Sequence, residues 1–247
     1  MTQDNQSSLE AQVLSSAVEM GLSNQLDHVE ELNVDVQTNL IDMVQGQANS
    51  VSVAAQGLVM ENIRVQEMEM HAYGIAINPL SAIFGDIELT KPTDATIRIV
   101  LKEKDINHAL TSDYVRSRMQ SLELTVNGEI ITFNLGQMEM SLTGNGKIQI
   151  SANTTLQEGE KSRVIGFRAS IYPPTIAQPL LMESFQCAPG QSISFDITLA
   201  LMQKLKELMS LPYFEIEGTA LRIKQMEVEE GKLTVEAEAY VRQIPSM

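Results

Sequence analysis

The chain has no tryptophan, one cysteine and three histidines in 247 residues, and aromatics make up only 4% of it. A single cysteine, Cys187, excludes an intramolecular disulfide framework and fits a reducing compartment. No run of about 18 apolar residues occurs, so no segment reads as a membrane-spanning helix. The opening Met1-Thr2-Gln3-Asp4 lacks the basic start and apolar core of a secretory signal. Positive charge is also scarce. The first Lys or Arg is Arg64, residues 1–63 hold nine carboxylates against no cation, and the net charge is −15. Nucleic-acid binders need clustered Lys and Arg to displace counterions, so no nucleic-acid partner is expected. A basic amphipathic anchor on anionic lipid is disfavoured for the same reason. These absences lead to the expectation of a cytoplasmic protein, peripheral to a membrane where it makes transient contact with one.

Catalytic and metal-binding patterns are sparse. His28, His71 and His108 stand far apart and share no metal-ligand spacing, so they read as surface or hydrogen-bonded histidines, and no cofactor is expected. Cys187 precedes the turn Ala188-Pro189-Gly190 and lacks a nucleophile context. Gly144-Asn145-Gly146-Lys147 has Ser141 where a phosphate loop needs its first Gly, and Ile148 where it needs Ser or Thr; it reads as a hairpin. Glu103 and Asp105 open a helical stretch, where carboxylates complement the helix dipole. An enzyme is not the expected reading, although distant residues can converge in space.

What the chain does have is one strand signature written three times. It reads Ile63-x-Val65-x-x-Met68-x-Met70, Phe133-x-Leu135-x-x-Met138-x-Met140 and Leu221-x-Ile223-x-x-Met226-x-Val228. Each copy alternates at period two, slips by one residue and resumes, which predicts half-buried strands with a bulge or bend at the slip. Further alternating runs precede the copies at Leu32, Val34, Val36, at Leu122, Leu124, Val126, and at Phe214, Ile216. Asn127-Gly128 and Asn145-Gly146 read as hairpin tips. Helical stripes come earlier in each unit: one along a helix of about residues 8–23 with Leu14, Val18 and Leu22, one through Ile106, Ala109, Leu110 and Tyr114, and one through Leu201, Met202, Leu205, Leu208 and Met209. The last spans Thr198 to Ser210, ended by Pro212. Ile97, Ile99, Leu101 and Ile193, Phe195, Ile197 predict a strand before each of the last two helices.

The implied fold is a single α+β domain over residues 1–247. It consists of a long curved antiparallel sheet with bulged strands wrapped around helices, built from about three helix-plus-strands repeats. Met68, Met138 and Met226 are expected at equivalent places in one continuous sheet. Met68, Met70, Met138 and Met140 with Leu201 and Leu205 form the candidate groove lining, since Met is flexible enough to fill gaps or to receive mobile acyl chains.

The stretch from Gly57-Leu58 to Asn78-Pro79, the run Ile99 to Leu110, and the closing run Gly218 to Val241 resemble the LmeA-like phospholipid-binding family. The resemblance covers most of the chain from about residue 9. It implies a tubular lipid-binding architecture, in which a curved sheet wraps a helix around an apolar lipid channel, with phospholipid or fatty acid as the partner and no catalytic motif. Two other readings stay open beside it: a scaffold or interaction domain with a filled core, and an enzyme whose site the sequence does not display. Oligomeric state is left open.

Overall fold

The structure is a computed structural model, and it describes residues 15–16, 18–23, 26–60, 63–78, 88–118, 121–209, 214–216 and 219–242. Within these ranges, the side chains of residues 40, 118, 205, 206, 208, 209 and 214–216 are outside the description. The protein is mostly β with few short helices, in two antiparallel sheets. Two compact units interleave along the chain: Met1–Val100 with Pro212–Lys224 and Val235–Met247, and Leu101–Leu211 with Gln225–Thr234.

The first unit is built on the seven-stranded sheet. Its strands are β1 (Glu31–Gln37), β2 (Gln47–Met60), β3 (Ile63–Ala76), β4 (Thr93–Lys102), β10 (Phe214–Ile216), β11 (Thr219–Glu229) and β12 (Lys232–Val241). Their order is β1-β2-β3-β4-β12-β11-β10, and the last residues of β4 and parts of β11 and β12 belong to the second unit. Helical residues 18–23, here α1, bring Val18 and Leu22 against a core of Val34, Val36 and Val53. Ser15 accepts the Val36 N–H at 3.0 Å, satisfying a donor of β1 beside that helix. The short α2 (Leu40–Val44) starts at Asn39, whose side chain accepts from the N–H groups of Ile41 and Asp42, an N-cap that sequence patterning passed over. The segment between Val36 and Ile63 holds α2 and the fourteen-residue strand β2.

The second unit carries the five-stranded sheet, in the order β5 (Leu122–Val126), β6 (Glu129–Leu142), β7 (Ile148–Glu158), β8 (Lys161–Tyr172), β9 (Leu181–Cys187). Its helices are α3 (Glu103–Thr111), α4 (Asp113–Arg118) and α5 (Phe195–Met209). Leu124, Val126, Ile131, Phe133, Leu156, Ile165, Ile197 and Leu201 form its core, so α5 packs on the sheet through Ile197 and Leu201. Between Asn127 (φ 52°) and Gly128 (φ 86°) the β5–β6 hairpin has both central residues left-handed, as a type I′ turn requires. Asn145-Gly146 does not repeat it. Five residues separate Leu142 from Ile148, and the positive φ values fall on Gly144 and Gly146.

Three expectations are corrected here. There are two sheets rather than one continuous sheet: Met68 and Met226 lie in the seven-stranded sheet and Met138 in the five-stranded one. Ile193, Phe195 and Ile197 do not form a strand. Ser194 accepts the Ile197 N–H at 3.2 Å, which starts α5 at Phe195 and leaves the apparent alternation as a cap and first turn. Tyr114 does not continue the helix of Ala109. Ser112 ends α3 through Ala109 and starts α4 by accepting the Val115 N–H, so the stripe breaks between two helices.

Candidate functional site

The phase slips determine where the methionines sit. In the second copy, Leu135 pairs with Thr154 and Met138 with Ala152, so Gly136 and Gln137 oppose Asn153 alone, a two-against-one bulge. Buried positions are odd-numbered before it (Ile131, Phe133) and even-numbered after it (Leu142), so the bulge keeps one apolar face. A Cβ at position 136 would lie 2.8 Å from the Asn153 carbonyl oxygen, which explains the glycine. In the first copy the same slip is handled differently. Gln56 pairs with Glu67 and Leu58 with Val65, so register is unbroken. Buried positions in β2 change phase at the same rung, from Val53 and Ala55 to Leu58, across Gly57 at φ 58°. Matched slips in both strands need no extra residue, so the bulge expected at Val65–Met68 is absent from this ladder. The third copy lies on β11, whose pairing with β10 covers Leu221 but stops short of the slip.

Met68 and Met70 are half-buried on β3, opposite Ala55 and Val53 of β2 and opposite Ile99 and Ile97 of β4. Both pack against the Val34–Val36–Val53 cluster with Val18 and Leu22. Met70 also borders a second cluster made of Ala72, Ala95 and Ala239. The structure thus brings Met68 and Met70 together in the first unit. Met138 and Met140 lie in the second unit, half-buried and opposite Ala152 and Ile150 of β7. Leu201 lies in that unit's core at 7% exposure, packed among Ile197, Phe133 and Leu156. The side chain of Leu205 is outside the described residues, as is that of Leu208. Met202, expected on the buried stripe of α5, is 41% exposed, and Phe195 and Leu199 are exposed as well.

Sequence reasoning missed how β6 is closed on the side away from β7. The Asn107 side chain donates to the Met140 carbonyl and accepts the Met140 N–H, each at 2.7 Å, as a neighbouring strand would. Glu103 accepts the Leu142 N–H at 2.6 Å. The Leu142 carbonyl accepts from Gly231, whose own carbonyl accepts from the Glu103 N–H. Helix α3 and the Glu230–Gly231 turn therefore cover backbone that β5 does not reach, since β5 pairs no further than Phe133. Nothing in the local pattern around Asn107 distinguishes it from an ordinary helix-surface asparagine.

Electrostatic pairs lie on exposed surfaces. Lys147 donates to Glu183 at 2.6 and 2.8 Å and stacks over Tyr172; the Glu183 hydrogen bond, then that to Tyr172, raise its pKa above 10.5. Glu238 is held below its ordinary 4.5 by the Lys224 hydrogen bond, with Arg222 nearby. His71 Nδ1 lies 3.0 Å from Ser52 Oγ on an exposed sheet face. Among the described residues, no three His, Cys, Asp or Glu converge as a metal site, and no helix is long and apolar enough to cross a membrane. Two buried side-chain oxygens, Thr93 Oγ1 and Asp105 Oδ2, have no hydrogen-bond partner among the described residues.

These features define a mostly β protein whose sheets carry aliphatic and thioether inner faces. The chain belongs to the LmeA-like phospholipid-binding family, whose sequence model matches residues 6–238. No curated protein and no solved structure matches the chain.

Proposed function

We propose that this protein holds phospholipid or fatty acyl chains against its apolar inner faces without transforming them, and serves lipid transfer or the upkeep of membrane lipid. Membership of a phospholipid-binding family along nearly the whole chain carries this reading. The candidate lining is Met68 and Met70 in the first unit, and Met138, Met140, Leu201 and Leu205 in the second. Half-buried methionines beside alanines and valines support it, because flexible thioethers repack around a mobile chain more cheaply than branched residues. A methionine follows a phase slip at Met68, Met138 and Met226 alike, and the first two of these belong to the candidate lining. A scaffold role is the second reading. It is favoured by the filled core of the second unit, where Leu156, Phe133 and Ile197 are closed to solvent.

Native mass spectrometry of protein purified without detergent is expected to show lipid adducts. A fluorescent phospholipid is expected to bind saturably to the wild type and more weakly to Met70→Trp and Met140→Trp. In this reading a groove borders both methionines, and filling a groove costs much less than overpacking a closed core, so both variants are expected to stay folded. Absence of adducts and of saturable binding would leave the scaffold reading.

A further inference from the structure

We propose that the tip of the β8–β9 hairpin in the second unit docks on a lipid bilayer, entering the headgroup layer with Ile176 foremost. This rests on the lipid-binding reading and adds the surface at which the protein meets the bilayer that supplies or receives its lipid. Residues 173–180 join β8 to β9, and the last rung of the ladder is Tyr172 with Leu181. Pro173 is buried and the Pro174 carbonyl accepts the Met226 N–H at 2.9 Å, so the base of the loop is held. Beyond it residues 175–179 are exposed, Ile176 at 78%, with Leu181 beside the loop at 58%. Besides proline, turns are dominated by Gly, Asn, Asp and Ser. This one reads Pro-Pro-Thr-Ile-Ala-Gln-Pro-Leu and has only the prolines of that set.

One exposed isoleucine is ordinary on a protein surface, so two further observations carry the assignment. The first is the backbone. A lipid environment penalises every unpaired N–H. Pro173, Pro174 and Pro179 have none to offer. The Thr175 N–H donates to the Gln178 carbonyl at 2.8 Å, and the Gln178 N–H donates to Thr175 Oγ1 at 3.1 Å. Within residues 173–179, only the Ile176 and Ala177 amides then have no partner among the described residues. The tip therefore sheds water at low cost, and its reciprocal bonds fix Ile176 and Ala177 at the apex before any contact is made. The second is charge. Residues 161–182 are the longest stretch without Asp or Glu in a chain that has 32 of them, and residues 169–182 carry no charge of either sign. Glu183, the next charge along the chain, is paired with Lys147. A molecule of net charge −15 is repelled by an anionic surface, so the bilayer that suits its neutral tip is zwitterionic.

The chain has no tryptophan, so Ile176→Trp places a single fluorescent reporter at the tip. Val164→Trp, at an exposed position on β8, places one away from it. With phosphatidylcholine vesicles, the emission of Ile176→Trp is expected to shift to the blue and to be quenched by brominated acyl chains, while that of Val164→Trp stays unchanged. Ile176→Asp is expected to weaken vesicle binding in flotation by about ten- to hundredfold, the worth of an isoleucine side chain taken out of water. It is expected to leave the unfolding midpoint unchanged, and also the uptake of a short-chain phosphatidylcholine dispersed as monomers. A wild type that takes up the monomeric lipid but does not bind vesicles would overturn the proposal and keep the lipid-binding reading. Vesicle binding with no shift in Ile176→Trp, or with equal shifts in both reporters, would overturn it as well. Vesicle binding with a shift confined to Ile176→Trp, but no uptake of monomeric lipid, would support the docking surface and remove the lipid-binding reading. A wild type that binds neither vesicles nor monomers would overturn both.

Discussion

Single residues decide whether the strands can make their irregular joins. Gly136 has no room for a Cβ against the Asn153 carbonyl, and that atom is backbone, which cannot swing away. Gly136→Ala is therefore expected to destabilise by about 1–3 kcal/mol, seen as a lower urea midpoint at unchanged slope. Asn107 replaces a missing strand for Met140. Asn107→Ala leaves a part-buried N–H and C=O unpaired, with an expected cost of about 1–3 kcal/mol and faster hydrogen exchange at the Met140 amide. Lys147 sets a pH dependence. Its folded pKa lies above 10.5 because of Glu183, so its contribution is complete below 10.5 and is lost as pH rises through the folded value. Stability curves of wild type and Glu183→Gln are expected to differ at neutral pH and to converge in strong alkali. The separation is small, since the pair is exposed. The glycine was visible in the sequence as part of the slip. The asparagine was not, because its role depends on a strand 33 positions away.

At the scale of elements, α5 shows how local chemistry overrides a short periodic pattern. Three apolar residues at period two predict a strand, but one Ser at the right place supplies a cap, and a helix follows with Ile197 and Leu201 one turn apart in the core. Ser194→Ala is expected to cost about 0.5–2 kcal/mol through loss of that cap, and Leu201→Ala about 2–5 kcal/mol through the cavity it leaves. Thermal unfolding would check both, and a Leu201→Ala loss within experimental error would mean that the core around it collapses freely. The slips behave alike in sequence and differently in structure. In β6 the partner strand keeps its phase, so the extra residue must bulge; in β3 the partner β2 slips at the same rung, so none is left over. A bulge is a property of a pair of strands, and the sequence of one strand gives half of it.

Over the whole molecule, the net charge of −15 acts at a distance that individual contacts do not. Uptake of lipid from anionic vesicles is expected to rise as salt increases from about 0.01 to 0.15 M, because the screening length falls from about 30 to 8 Å. Uptake from zwitterionic vesicles is expected to change little over the same range, and a stopped-flow transfer assay separates the two. Equal salt responses would show that the protein's charge is turned away from the membrane it meets. The two interleaved units were not foreseen. Three of their four boundaries fall inside β4, β11 and β12, where no linker composition marks them.

The sequence by itself determined the β character, most strand positions, the Asn127-Gly128 hairpin and the family, because alternation and turn chemistry are local and leave a residue-by-residue trace. It also placed Met68, Met70, Met138 and Met140 on half-buried strand faces. Only the tertiary structure decided that the strands divide between two sheets, that one slip bulges while another is matched, and that Asn107 covers the backbone of β6. It likewise decided that Thr93 is buried, with no hydrogen-bond partner for its hydroxyl among the described residues. Each of these depends on which strand or helix lies alongside. Partners tens of residues away supply the missing half of every hydrogen bond and every packed face, and a one-dimensional pattern does not carry that pairing.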